Sequence, residues 1–258
     1  MKLAVLAVLV ALAACRASVD DYPLGQGNDP PIGGGSSASG VDASVDALND
    51  GGDGDAGVRI SGRVCLLNDL RQVGLTTTCA TTGLTALNLT VSLGTRTATP
   101  ADDGSFVIQA PLGAGFTWHV VGGLNTIVKS AMPFGTDNTI PVVKEVRYFD
   151  LLQNNGVELN DLEGSVFVHV VTGTAGVAEV LASTTQTDTP LLYDAANSAE
   201  VWGTTQTDVL GVVWVPSVPV QNPVTKAVPI TLSKQGVIVA TPAAIIEDQT
   251  ITFLTQTL

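Results

Sequence analysis

The sequence predicts an all-β protein of two tandem β-sandwiches, and three observations carry that expectation. From Arg59 to Leu258 the chain breaks into short runs rich in Val, Ile, Leu and Thr, punctuated by Gly, Pro, Asn and Asp. Apolar and polar residues alternate in these runs with period 2, which puts one face of each strand inside, and no stretch holds a 3.6-residue apolar stripe over three turns. The region also repeats itself. Ile60-Ser61-Gly62-Arg63-Val64 opens one half and Leu162-Glu163-Gly164-Ser165-Val166 the other.

The chain begins with Met1-Lys2 and an unbroken apolar run from Leu3 to Ala14. A membrane-spanning helix needs about 20 apolar residues. This shorter run suits the apolar region of an export signal. It ends on Leu12-Ala13-Ala14-Cys15, which resembles the lipobox of bacterial lipoproteins. The resemblance implies a signal peptide over residues 1–14, cleavage before Cys15, and diacylglyceryl transfer to the Cys15 thiolate. Two or three acyl chains would then hold the protein to a membrane. Arg16 stands where an aspartate would retain a lipoprotein at the inner membrane, so the expected location is the cell envelope, with the outer membrane favoured over the inner.

Residues 15–58 form a different region. Eight aspartates and one arginine lie between Arg16 and Val58, among Gly, Ser and Pro. Such a composition cannot bury enough apolar surface to offset its ordering entropy, so a disordered acidic tether is expected. The run Asn49-Asp50-Gly51-Gly52-Asp53-Gly54-Asp55 loosely follows calcium-loop spacing but lacks the closing glutamate and flanking helices of an EF-hand. The whole chain has a formal charge of −13, the wrong sign for a nucleic-acid partner.

The first sandwich is assigned to residues 59–153. It contains the strand-like runs Leu87–Leu93 and Phe116–Val121, the turn Asp102-Asp103-Gly104 leading into Ser105-Phe106-Val107-Ile108, and a closing run Asp137–Val143. In that turn an aspartate bonds its own backbone, glycine accepts a positive φ, and the next aromatic points inward. Cys65 and Cys79 are the two cysteines after Cys15, and in an oxidising compartment they are expected to pair. The second sandwich spans 154–258, with a boundary near Asn154-Asn155-Gly156. Its turn lies at Asp208–Gly211, Val213 takes the place of the aromatic, and Thr250–Phe253 closes it. Prolines in Val215-Pro216 and Val218-Pro219 suggest protected edge strands.

The opening "I-x-G-x-V" strand, the central Leu87–Leu93 run and Thr99-Pro100-Ala101-Asp102-Asp103-Gly104-Ser105-Phe106-Val107-Ile108 resemble the carboxypeptidase regulatory-like domain. That resemblance implies an Ig-like or transthyretin-like sandwich and no catalytic residue. It covers Arg59 to Arg147 best and Glu163 to Leu258 more weakly.

No catalytic motif stands out. The two histidines, His119 and His169, have no zinc-motif partner nearby in sequence and are read as rim or solvent-face residues. No Gly-x-Ser-x-Gly elbow or phosphate-cradling loop occurs, and no metal or cofactor is expected. Trp118 and Trp214 are expected to fill the two cores. Trp202, in Ala199-Glu200-Val201-Trp202-Gly203, is the candidate carbohydrate contact. The expected function is non-enzymatic: a protein held to a membrane through Cys15 that offers its sandwiches for structural, adhesive or scaffold contact with an envelope protein or glycan. A polysaccharide- or peptidoglycan-binding module is the alternative, and a cryptic hydrolase with its site between the sandwiches is a third.

Overall fold

Chain order alternates strands and tight turns, as the period-2 texture requires. The first half contains β1 (Val58–Leu67), β2 (Thr90–Leu93), β3 (Arg96–Ala98), β4 (Ser105–Ala110), β5 (Thr117–Val121), β6 (Lys129–Pro133) and β7 (Thr139–Val143), followed by helix α1 (Glu145–Asn154). The second half contains β8 (Glu163–Thr172), β9 (Ala175–Gly176), β10 (Val180–Ser183), β11 (Leu192–Asp194), β12 (Trp202–Gly203), β13 (Val212–Pro219), β14 (Thr225–Pro229), β15 (Thr231–Lys234), β16 (Val237–Ala240), β17 (Ala243–Glu247) and β18 (Thr250–Thr257). This is a computed structural model that describes residues 57–75, 78–111, 113, 115–135, 138–195, 200–220 and 225–258. Cys15 and the Asn49–Asp55 run lie outside the described residues. No helix among the described residues is long and apolar enough to cross a membrane.

The sequence repeat is matched by a repeat in strand pairing. In each half the opening strand lies between an antiparallel partner, which follows the Asp/Gly turn, and a parallel partner, which closes the half. The orders are β4-β1-β7 and β13-β8-β18. Second layers correspond too: β2-β5-β6 and β10-β15-β16 are both antiparallel throughout. The turn glycines have matching roles. Gly104 (φ +86°) and Gly211 (φ +67°) occupy the left-handed region, and each carbonyl accepts a 2.8 Å hydrogen bond from the opening strand, from Val64 N–H and Val170 N–H.

Local chemistry explains the best-matched motif. Asp103 Oδ1 accepts from Ser105 N–H at 2.9 Å, and Phe106 turns inward to meet Trp118 edge-on at 5.5 Å. Gly62 of the "I-x-G-x-V" strand pairs with Phe106, and a Cβ there would lie 2.4 Å from the ring. The missing side chain therefore makes room for the aromatic. Trp118 and Trp214 are fully buried, but both lie in one shared core rather than one in each half.

The halves do not close separately. Strand β18 pairs in parallel with β6 as well as β8, so strands from both halves form one ten-stranded sheet. The boundary read near Asn154 falls at the end of α1, and one apolar core runs from Val64 and Trp118 of the first half to Phe167, Trp214 and Phe253 of the second. The physical reason lies in β8. Eight consecutive residues, Gly164–Val171, are buried, so both faces of this strand need cover. Val166, Val168 and Val170 pack into a second core with β10, β13, β14, β15 and β17, while Ser165 meets Tyr148, His169 meets Gly74, and Phe167 joins the core shared with the first half. Gly52–Leu258 accordingly forms one compact unit.

Three local expectations are corrected. Residues 85–87 form a 3-10 turn and Asn88 is left-handed (φ 50°), so the central strand starts only at Thr90. Strand β13 is not an edge strand, because it runs between β11 and β8. Both prolines lie past the two residues paired with β11: Pro216 falls where the β8 register shifts, between Val215 and Val218, and Pro219 pairs with Glu163 at the end of the strand. His169 is 5% exposed and lies inside, not on a rim.

Candidate functional site

Ionisable side chains collect along the line where the halves meet. At one place Glu247, which ends β17, takes Nε2–H of His119 (β5) on Oε1 at 2.6 Å and Nζ of Lys129 (β6) on Oε2 at 2.5 Å. Strand alternation sets this up, because Lys129 and Ala131 share a face of β6 and His119 pairs with Ala131 on the neighbouring strand. The imidazole hydrogen bond, and then the ammonium, hold the Glu247 carboxyl down at about 2. Nearby hydroxyls are engaged elsewhere: Ser130 donates to Val128 O and Thr252 to Ile245 O. Chemically this is a strut in which one carboxylate ties two first-half strands to a second-half strand.

An open concavity of about 470 Å³ adjoins this strut, between α1 and the β17–β18 turn. Lys129, Glu145, Tyr148, Phe149, Asp161 and Asp248 are among its lining residues. The polar groups do not converge on a buried nucleophile. Glu145 is on the helix, Asp161 on the loop before β8, and Asp248 in the turn.

The second cluster surrounds the loop closed by Cys65 and Cys79. These cysteines form the expected disulfide, 14 residues apart in sequence. The loop carries a 3-10 turn, Leu70–Gln72, capped by Asp69, whose carboxylate accepts from Arg71 N–H at 2.9 Å. Arg71 is 3% exposed and grips Asp69 with two further bonds, and its Nη1 donates to Ala195 O at 2.9 Å. Leu70 N–H donates to Glu200 Oε1 at 3.1 Å, and Arg147 of α1 donates to Glu200 Oε2 at 2.5 Å. Burial pushes the Glu200 carboxyl up against these partners. Beside them the His169 ring lies against Gly74, where a Cβ would sit 2.3 Å from Nδ1, and burial pushes its pKa down. Asp194 accepts three backbone N–H bonds, from Asp208, Leu210 and Val212, at 2.8–3.1 Å, which fixes the turn before β13.

Trp202 is not the surface platform a sugar contact needs. It is 8% exposed and packs edge-on against Phe167 (5.7 Å) and Trp214 (5.4 Å). Three-residue alternation could not show this, because the cover comes from β8 and β13. The structure brings all three to the seam: His169 and Trp202 near the disulfide-closed loop, and His119 in the Glu247 strut. Sequence reasoning missed Glu247, Arg71, Glu200 and Asp194. Their partners are remote in the chain, and no spacing signal announces them. Among the described residues no group of three or more His, Cys, Asp or Glu is placed to hold a metal ion. Comparison with protein-family models, curated proteins and solved structures gives no match.

Proposed function

We propose that this chain is a lipid-anchored protein of the bacterial cell envelope, non-enzymatic, that holds a strand-rich body away from the membrane for structural or scaffold contact. The observation that carries the proposal is the Leu3–Ala14 apolar run ending on Leu12-Ala13-Ala14-Cys15. The Asp-, Gly- and Ser-rich segment that follows supports a spacer reading. Within the body, the repeated pairing orders support two fused sandwiches of the transthyretin-like kind. The roles of the charged side chains also favour a scaffold: Glu247 holds His119 and Lys129, while Glu200 holds Arg147 and the backbone of Leu70.

The test is metabolic labelling with a palmitate analogue in a bacterial host. The wild-type chain takes up label and shortens on processing, and Cys15→Ser stays unlabelled and full length. Label persisting in Cys15→Ser would overturn the anchor. A peptide or glycan library cleaved by the purified protein, with loss of cleavage in a point variant, would overturn the non-enzymatic reading.

A further inference from the structure

Helix α1 shows solvent a face that is both apolar and acidic. Phe149 is 54% exposed, and Val146, one turn earlier on the same face, is 65% exposed. Phe149 and Leu159 line both the hollow of about 470 Å³ beside the Glu247 strut and a second hollow of about 420 Å³. The two hollows therefore share an apolar wall. Charge around them is one-sided. Glu145, Asp161 and Asp248 line the first and Glu158 the second. Lys129 is the one basic residue on either, and Glu247 already holds its ammonium. Among the described residues none of these four carboxylates has a hydrogen-bond or ion-pair partner, and Asp248 Oδ1 is shut away from water as well. A shielded carboxylate oxygen without a donor is costly, so a donor brought into this hollow is stabilised there.

These features select among occupants. A single metal ion does not suit them, because among the described residues no three such ligands are placed to share one. A second copy of this chain, of formal charge −13, or its own Asp-rich segment before Val58 would add negative charge to a face that already carries it. An anionic lipid surface is repelled for the same reason. A peptide with spaced basic side chains and an apolar residue between them matches both parts of the face. Its ammonium or guanidinium groups donate to the carboxylates, and its apolar residue covers Phe149.

We infer that the groove between α1 and the loop before β8 docks a basic, apolar peptide segment of another protein. This names the contact face of the proposed scaffold and rests on that reading, but not on the Cys15 anchor. Binding is measured on unlipidated protein, so its failure and a failure of lipid labelling are separate results.

The probe is a fluorescein-labelled octapeptide of alternating lysine and leucine, titrated by fluorescence anisotropy with the full chain carrying Cys15→Ser. It should bind with a Kd below about 1 mM at 0.15 M salt. Asp161→Asn with Asp248→Asn should weaken binding about tenfold, and Phe149→Ala about threefold. Glu179→Gln with Asp188→Asn removes the same charge from exposed positions elsewhere and should change it by less than about twofold. Asp161→Asn alone, at an exposed loop position that leaves the fold intact, should still weaken it. Amide chemical shifts on peptide addition should move at residues 145–149 and 158–161. No binding up to about 1 mM would overturn the inference. Equal losses from the two charge pairs, equal binding of a lysine–serine octapeptide, or shifts centred on another face would overturn it as well, leaving only the attraction of net charge.

Discussion

The Tyr148 hydroxyl donates a 2.6 Å hydrogen bond to Ser165 Oγ, with both residues buried, and so joins helix α1 to the strand that opens the second half. Burial also raises the Tyr148 pKa, so the phenol stays protonated as a donor. Tyr148→Phe keeps the packing but removes the partner of a hydroxyl that water cannot reach. The expected cost is about 1–3 kcal/mol, the range for a stranded buried polar group. Tyr148→Phe with Ser165→Ala removes both partners and should recover part of that loss. Urea midpoints of the two single variants and the double variant check this; purely additive losses would contradict it.

The disulfide closes the loop that docks on the second half through Leu70, Arg71 and Gly74. In the chain-entropy picture a loop of this length is worth about 3 kcal/mol. Reduction, or Cys65→Ser with Cys79→Ser, should lower stability by that order. Because the loop supplies partners to Ala195 and Glu200, hydrogen exchange should rise at described residues 192–195 and 200–203 more than in β14, whose Val228 packs in the second core. Hydrogen–deuterium exchange read by mass spectrometry separates this local loosening from a uniform loss.

Trp202 is the residue whose role the structure changes most. Its ring completes an aromatic cluster with Phe167 and Trp214. Trp202→Ala should therefore cost about 3–5 kcal/mol, as large-to-small core substitutions do. Thermal unfolding is the measurement, and a variant as stable as wild type would restore the surface-platform reading.

The legible parts of this fold were those written in neighbouring residues. The Asp102–Ile108 turn and strand were readable because aspartate, glycine and the inward aromatic act within a few positions. The Cys65–Cys79 pairing was readable because no other cysteines compete after Cys15. Helix α1 was missed: at ten residues, with Tyr148, Leu151 and Leu152 as its buried side chains, it is too short to print a stripe over three turns. The seam was illegible for a different reason. His119 and Glu247 lie 128 residues apart, and a strand buried on both faces looks locally like any apolar run.

Acid should destabilise this protein in two stages, led by His169 and then by Glu247. Burial holds His169 below its ordinary 6.5, so as pH falls through about 6.5 the unfolded chain takes up a proton that the folded chain resists. Stability present above that pH is then lost. Glu247 acts lower: its carboxyl titrates at about 2 in the fold and near 4.5 when free. Its contribution, about 3 kcal/mol at most, is intact above pH 4.5 and lost as pH falls toward 2. Glu200 has the opposite sign, because burial raises its carboxyl and its protonation favours the folded state as pH falls. Glu247→Gln should therefore keep the first stage and lose most of the second: the Glu200 gain is complete by about pH 4.5, and below that only Asp102 and Asp103, held below their ordinary 3.8 by hydrogen bonds, leave a shallower decline. Urea midpoints followed from about pH 8 to pH 3 give the two curves. A Glu247→Gln variant that still declines below pH 4.5 as steeply as wild type would remove the strut from this account of acid stability.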